Sequence, residues 1–195
     1  MKKILIATNN QNKIKEFKEI LKEYDIISMQ DINCNIKVNE DGKTFEENAI
    51  KKAKEIYEKT GYPCIADDSG LCIKCYENWP GVLTARFLGE NTTAQQRNEY
   101  ILEKMKNLKD EDRKAQVICS LAYYYNDKYI IANGLINGYI SDKRKGNNGF
   151  GFDEIFKLEN GKTLAELTSK EKNSISARKL AIEELKQKLK ILANF

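Results

Sequence analysis

Two adjacent carboxylates, Asp67 and Asp68, stand inside an otherwise apolar stretch, Cys64-Ile65-Ala66-Asp67-Asp68-Ser69-Gly70-Leu71-Cys72-Ile73. Burying either one unpaired costs on the order of several kcal/mol, so the fold must bring cations to them. The stretch reads as a strand interrupted by the acid pair, with the pair expected at a sheet edge or a strand end facing a cleft. Alternation along a strand sends the two side chains to opposite sides, so at most one points directly at a given metal ion.

The flanking segments place this strand in context. Lys3 to Ala7 predicts a short buried first strand, and after Thr8–Asn12 the apolar positions Ile14, Phe17, Ile20, Leu21 and Tyr24 mark one face of a helix. Thr44 opens a second helix with Glu47 at capping-box spacing, and Phe45, Ala49, Ala53, Ile56 and Tyr57 form its buried stripe. Trp79-Pro80-Gly81 reads as a turn and residues 93–106 as a helix. Gln116–Tyr125 and Lys128–Ile140 are β-rich and form a hairpin about Asn126-Asp127. A C-terminal helix from about Ile175 turns Leu185, Leu189 and Leu192 inward. Strands that alternate with helices and then give way to a hairpin predict an α/β fold with a mixed sheet. The 195 residues suit one domain, 1–195, in one or two lobes, with no repeat and no dividing linker.

Composition narrows the chemistry. No run approaches the roughly 18 apolar residues of a membrane span, and the start, MKKILIATNNQNK, predicts no secretory signal, so an internal, soluble protein is expected. There is no histidine, which removes Ser-His-Asp, Cys-His and histidine–metal mechanisms together. The five cysteines are an odd number and argue against a disulfide framework. Cys72 and Cys75 have the spacing of a zinc or redox pair but lack a second pair. Any hydrolytic chemistry must therefore rest on carboxylates, lysines and arginines, with a hard metal ion as an option. A net charge of +4 is modest for a nucleic-acid binder, and a small polyanion fits better than a long one.

Three clusters carry that chemistry. Thr8-Asn9-Asn10-Gln11-Asn12-Lys13 joins a strand to a helix whose first amides favour an anion, with Lys13 adding charge; a plain capped turn is the alternative. Asp67 and Asp68, with Glu46 or Glu47 near a helix start, offer oxygen ligands suited to Mg²⁺ or Mn²⁺, whereas Asp68 alone could serve a turn or cap. Lys143-Arg144-Lys145 leads through glycines to Phe150-Gly151-Phe152-Asp153. Its basic rim can hold phosphates, a ring can stack on a base, and the carboxylate can accept from a base N–H. Lys170 to Lys179 adds cations at a helix entrance, with Arg178 offering donors to carbonyl-type acceptors.

These segments together resemble the inosine triphosphate pyrophosphatase family. The resemblance lies in Thr8–Lys13, Thr44-Phe45-Glu46-Glu47-Asn48-Ala49 with Lys52-Ala53, and Ala66-Asp67-Asp68-Ser69-Gly70-Leu71. It continues in Pro80-Gly81-Val82 with Ala85-Arg86, Gly149–Asp153 with Ile155-Phe156, and Glu171-Lys172-Asn173 with Ile175-Ser176 and Arg178. It implies a long twisted mixed sheet flanked by helices, two lobes enclosing a nucleotide cleft, and a cytoplasmic homodimer. The implied reaction is Mg²⁺-dependent hydrolysis of non-standard purine nucleoside triphosphates (ITP, dITP, XTP) to the monophosphate and pyrophosphate, with no stable nucleic-acid partner and no membrane. By the same resemblance Thr8, Asn9, Asn10, Asn12, Lys13 and Lys172 hold the triphosphate. Glu47 and Asp68 bind the metal, and Asp68 also takes the proton of the attacking water. Ser69, Phe150, Gly151, Phe152, Asp153 and Arg178 meet the base or substrate, with Asp67, Arg86 and Lys145 as secondary candidates.

The chain departs from the family pattern at several points. Ser176-Ala177-Arg178 replaces the usual Ser-His-Arg, Arg144-Lys145-Gly146 replaces Pro-Arg-Gly, Glu154 stands where a proline is usual, and Asn9 replaces a common glycine. Loss of the imidazole predicts weaker purine discrimination or a compensating group, and loss of the proline predicts a looser backbone after Asp153. Two alternatives follow: the same fold with altered base specificity, and a nucleotide- or RNA-binding module without turnover.

Overall fold

The apolar run at the start of the chain forms β1 (Lys3–Ile6), which pairs in parallel with β2 (Asp25–Ser28) and β3 (Cys64–Ile73). The structure is a computed structural model that describes residues 3–193, with side chains for 3–190. Leu192, expected on the inward face of the last helix, lies outside the described side chains.

Between β1 and β2 runs α1 (Gln11–Ile20), which buries Ile14 and Phe17 as its period demands and also buries Glu16. Between β2 and β3 runs α2 (Phe45–Thr60), which buries Phe45, Ala49, Ala53 and Ile56. Thr44 Oγ1 accepts the Glu47 N–H at 3.1 Å, but the Glu47 carboxylate reaches back one residue further than a capping box requires and accepts the Lys43 N–H at 2.7 Å.

The seven-stranded sheet has the order β2-β1-β3-β5-β6-β7, with β4 (Trp79–Pro80) antiparallel to β3. Trp79-Pro80, expected in a turn, thus forms a short strand, and the turn follows at Gly81–Leu83. The hairpin of β5 (Lys114–Tyr125) and β6 (Lys128–Ile140) turns at Asn126 and Asp127, both left-handed with φ of 49° and 55°. That geometry matches the twist of paired strands, and Asn and Asp tolerate it best among residues with a Cβ. β7 (Phe156–Lys157) pairs antiparallel with β6.

Two expectations need correction. β3 lies between β1 and β5, so Asp67 and Asp68 occupy an interior strand and not an edge, and the strand runs unbroken through them. A short helix not expected from sequence, α4 (Ser169–Ile175), precedes the C-terminal helix expected from about Ile175, which is α5 (Ala177–Ala193); Ser176, extended with ψ of 152°, separates the two. Thr168 and Glu171 cap α4 reciprocally, a signal present in the sequence. The helix expected at 93–106 is α3 (Ala94–Met105), boxed by Thr93 and Gln96.

The chain gathers into two compact units. Unit 1 comprises Met1–Asp68, Cys119–Gly134 and Ala177–Phe195; unit 2 comprises Ser69–Ile118 and Leu135–Ser176. In unit 1, Ala49, Ala53 and Ile56 of α2 pack on Leu5, Ala7, Cys64 and Ala66 of the sheet region. In unit 2 the Arg113 guanidinium is buried and donates to three carbonyls: Ile140 O at 2.8 Å, Met105 O at 2.6 Å and Ser141 O at 2.6 Å. Among the described residues no helix is long and apolar enough to cross a membrane.

Arg113 joins the end of α3 to the end of β6, and its loss takes a donor from each of three buried carbonyls, of which Met105 O keeps the Leu108 N–H at 3.0 Å. Arg113→Ala is expected to lower the unfolding free energy by about 2–4 kcal/mol, with Arg113→Lys intermediate, by urea titration. A loss below about 0.5 kcal/mol, the scale of an ordinary surface substitution, would contradict this.

Candidate active site

In unit 1 the two aspartates part as strand alternation requires. Cys64, Ala66 and Asp68 face α2, while Asp67 points to α1 and α5. Asp67 has no exposed side-chain surface, and its Oδ2 takes Lys13 Nζ at 2.9 Å and Arg178 Nη2 at 3.0 Å. Arg178 also pairs, through Nη1, with the buried Glu16 of α1. Burial alone would raise the Asp67 carboxyl, but Lys13, Arg178 and Lys52 hold it well below the usual carboxylate range. Oδ1 of Asp67 is buried without a hydrogen-bond partner among the described residues. Cys119 lies against this cluster, and burial pushes its thiol up to about 12, which makes it a neutral packing group.

Asp68 sits in a different environment. Its Oδ2 accepts from Asn48 Nδ2 at 2.8 Å, and Asn48 is fully buried on α2. Burial, reinforced by the charges of Glu40 and Asp67, pushes the Asp68 carboxyl up to about 6 despite the Asn48 hydrogen bond and the pull of Lys13. Glu40 pairs with Lys52 Nζ at 2.5 Å. Burial opposes the charge on Lys52, yet Asp67, Glu40 and Asp68 hold its pKa above the ordinary lysine range. Glu47, named from sequence as a metal carboxylate, is exposed and accepts the Lys43 N–H, whereas the glutamate whose charge bears on Asp68 is Glu40.

The loop before α1 is already capped. Asn10 Oδ1 accepts the N–H groups of Asn12 at 3.0 Å and Lys13 at 3.4 Å, and Thr8 Oγ1 accepts from the Asn10 N–H at 3.2 Å. An anion therefore meets exposed Asn9, Asn10 and Asn12 and the half-buried Lys13 rather than a bare helix terminus.

Unit 2 builds the aromatic cluster. Asp153 is buried and its Oδ2 accepts the Phe150 N–H at 2.7 Å and Lys172 Nζ at 2.8 Å. The same ammonium lies 4.2 Å from the centroid of the Phe150 ring. Gly149 allows this closure, since a Cβ there would fall 2.1 Å from Asp153 Oδ2 and its φ is +79°. Asn98 Nδ2 donates to Gly151 O at 2.9 Å. Lys172, from a separate segment of the sequence, thus contacts both Asp153 and Phe150, with Gly151 and Phe152 half-buried in the same loop. Ser69, Arg86 and Lys145 are half-buried in unit 2. Glu154 does not loosen the backbone: it takes Arg144 Nε at 2.6 Å, and its carbonyl accepts the Lys145 N–H at 2.9 Å.

Glu16, Glu40, Asn48 and Lys52 join these clusters without having been singled out from sequence as candidate site residues. Asn48 and Lys52 lie within the segments that carry the family resemblance, while Glu16 is legible only as an acid three residues after Lys13 on a helix. Glu40 belongs to a loop whose approach to Asp68 is a tertiary fact.

Comparison with known proteins identifies the family. The Ham1 family model matches residues 4–188. The dITP/XTP pyrophosphatase of Clostridium perfringens is 44% identical over 200 residues, covering 97% of this chain and 98% of that one. The solved Staphylococcus aureus Ham1 protein superposes with a TM-score of 0.87 at 38% identity, covering 97% of this chain and 98% of that one. A HAM1 protein from Coxiella burnetii superposes with a TM-score of 0.88 at 37% identity, covering 97% and 99%. The chain belongs to the Ham1 family and is a hydrolase of its pyrophosphatase class.

The residues suit a hard divalent cation by donor type. Asp68 and Glu40 present oxygens only, and the Asp68 carboxyl, raised first by burial and then by the charges of Glu40 and Asp67, is one whose ionised form such an ion would stabilise. Among the described residues no group of three or more His, Cys, Asp or Glu is gathered into a ready-made metal centre.

The raised pKa has a consequence for stability. Asp68 has a higher pKa folded, about 6, than the ordinary 3.8, so the stability it contributes is complete below pH 4 and is lost as pH rises through about 6. In a chelating buffer, Asp68→Asn is expected to be more stable than the parent by about 1–3 kcal/mol at pH 8, with the difference shrinking towards pH 4. Urea titrations at both pH values check this; equal stabilities at pH 8 would contradict it.

Proposed function

We propose that this chain hydrolyses non-standard purine nucleoside triphosphates such as dITP, ITP and XTP to the monophosphate and pyrophosphate. The observation that carries the proposal is Asp68, a buried carboxyl poised near neutrality with Lys13 and Lys52 in the same unit. A base is most effective when its pKa lies near the working pH. The names of the dITP/XTP pyrophosphatases that match almost the whole chain supply the substrate class.

In this mechanism Lys13, anchored by Asp67, meets the triphosphate together with the polar side chains of Thr8 to Asn12. Asp68 accepts the proton of the water that attacks the α-phosphorus, the α–β anhydride bond breaks, and pyrophosphate leaves. Mg²⁺, or Mn²⁺ in its place, would supply positive charge for the phosphoryl oxygens. Asp68 and Glu40 are its proposed protein ligands, in place of the pair Glu47 and Asp68 suggested by resemblance. In unit 2 the Phe150 ring offers a stacking face for the base, held by Asp153 and Lys172. A donor aimed at a 6-keto oxygen accepts hypoxanthine and xanthine and meets an amino group on adenine, a mismatch worth about 1–3 kcal/mol per group. The same proposal carries a cytoplasmic homodimer.

A second reading, relaxed base specificity, is favoured by one observation. Ala177 is buried at the start of α5 where the family pattern has histidine. The test is pyrophosphate release with Mg²⁺ from ITP, dITP, XTP, GTP, ATP, dUTP and CTP. XTP and ITP are expected to exceed ATP and GTP, and Asp68→Asn to lower kcat by about 10²–10⁴-fold. Equal turnover of GTP or ATP would favour relaxed specificity. No turnover of any would overturn the assignment.

A further inference from the structure

We infer that Asn48 is a positioning residue that fixes the Asp68 carboxylate to the Glu40–Gly42 loop, so that one buried amide sets the spacing of the two carboxylates that act together. The inference deepens the function proposed above and rests on its assignment of Asp68 and Glu40.

Asn48 has no exposed surface. Its Oδ1 accepts the Gly42 N–H at 2.7 Å and its Nδ2 donates to Asp68 Oδ2 at 2.8 Å. A backbone N–H can only donate, so the amide oxygen must face Gly42 and the amide nitrogen must face Asp68. The orientation of the amide is therefore dictated by its partners. Asn48 is itself anchored, because its N–H donates to Thr44 O at 3.2 Å in the first turn of α2.

The loop is held as closely as the strand. A Cβ at Gly42 would lie 2.6 Å from Asn48 Oδ1 and 2.9 Å from Glu47 Cβ, so any side chain there pushes the amide away. Two residues earlier Glu40 is fixed by Lys52, the next turn of the same helix. α2 thus grips the loop twice, through Asn48 and Lys52, and reaches Asp68 through the other end of the Asn48 amide. A residue that served only to satisfy buried hydrogen bonds would affect stability. A positioning residue also affects how the carboxylates act as a pair.

The test uses the full chain with Asn48→Ala and Asn48→Asp. The aspartate keeps the volume and the acceptor for Gly42 while replacing the donor to Asp68 with an acceptor. Two readouts are taken: kcat and KM for XTP with Mg²⁺, and the rise in Tm on adding Mn²⁺ alone, without nucleotide. Both variants are expected to lose about 10–100-fold in kcat with KM changed less than about threefold, and to show less than half the parent's Mn²⁺ shift. Asn48→Asp is expected to be the more impaired. The inference is overturned if either folded variant keeps kcat and Mn²⁺ shift within about twofold of the parent, or if the loss falls on KM alone. It is also overturned if neither variant folds, since Asn48 is then structural. A parent without turnover sinks the proposed function, and the Mn²⁺ shift then decides: a shift reduced in both variants supports positioning, and an equal or absent shift overturns it.

Discussion

A carboxylate with no exposed surface must be surrounded by positive charge, and Asp67 receives it from two directions. Lys13 comes from the start of α1 and Arg178 from the start of α5. Breaking such a pair by removing one partner costs about 3–5 kcal/mol, because the other charge stays buried. Arg178 also holds Glu16 on α1, so the first helix, the last helix and the central strand share one charge cluster. Lys13 is consequently placed by Asp67, and the start of α1 depends on an acid that faces away from Asp68.

The neighbouring acid has the opposite fate. One step along the strand, Asp68 meets Asn48 and the charge of Glu40, and burial raises its pKa where the cations around Asp67 lower that of its neighbour. Two adjacent residues of one type thus acquire different chemistry from strand alternation alone. Asp67 is a permanent anion that organises cations, and Asp68 is a carboxyl able to exchange a proton near neutral pH. In unit 2 the same economy recurs, with Asp153 closing the loop on Phe150 while pairing with Lys172.

Much of this was legible in the sequence, for identifiable reasons. The spacing of Ile14 and Phe17 gave α1, Thr44 with the stripe from Phe45 to Ile56 gave α2, and Asn126-Asp127 marked the hairpin, because each signal is local. The opposite facing of Asp67 and Asp68 followed from the period of a strand. The interior position of β3 did not, since strand order depends on pairings between distant segments. The short α4 ahead of the last helix was not read from the sequence, although Thr168 and Glu171 announce its start. Glu40, Asn48 and Arg113 act through partners that only the folded chain brings near.

The account turns on two adjacent aspartates having opposite ionisation. Their carboxyl carbon shifts can be followed by NMR against pH in aspartate-labelled, metal-free protein. Asp68 is predicted to titrate near pH 6, with Asp67 remaining ionised far into the acid range. Titration of both near the ordinary aspartate value, or of Asp67 above Asp68, would contradict it.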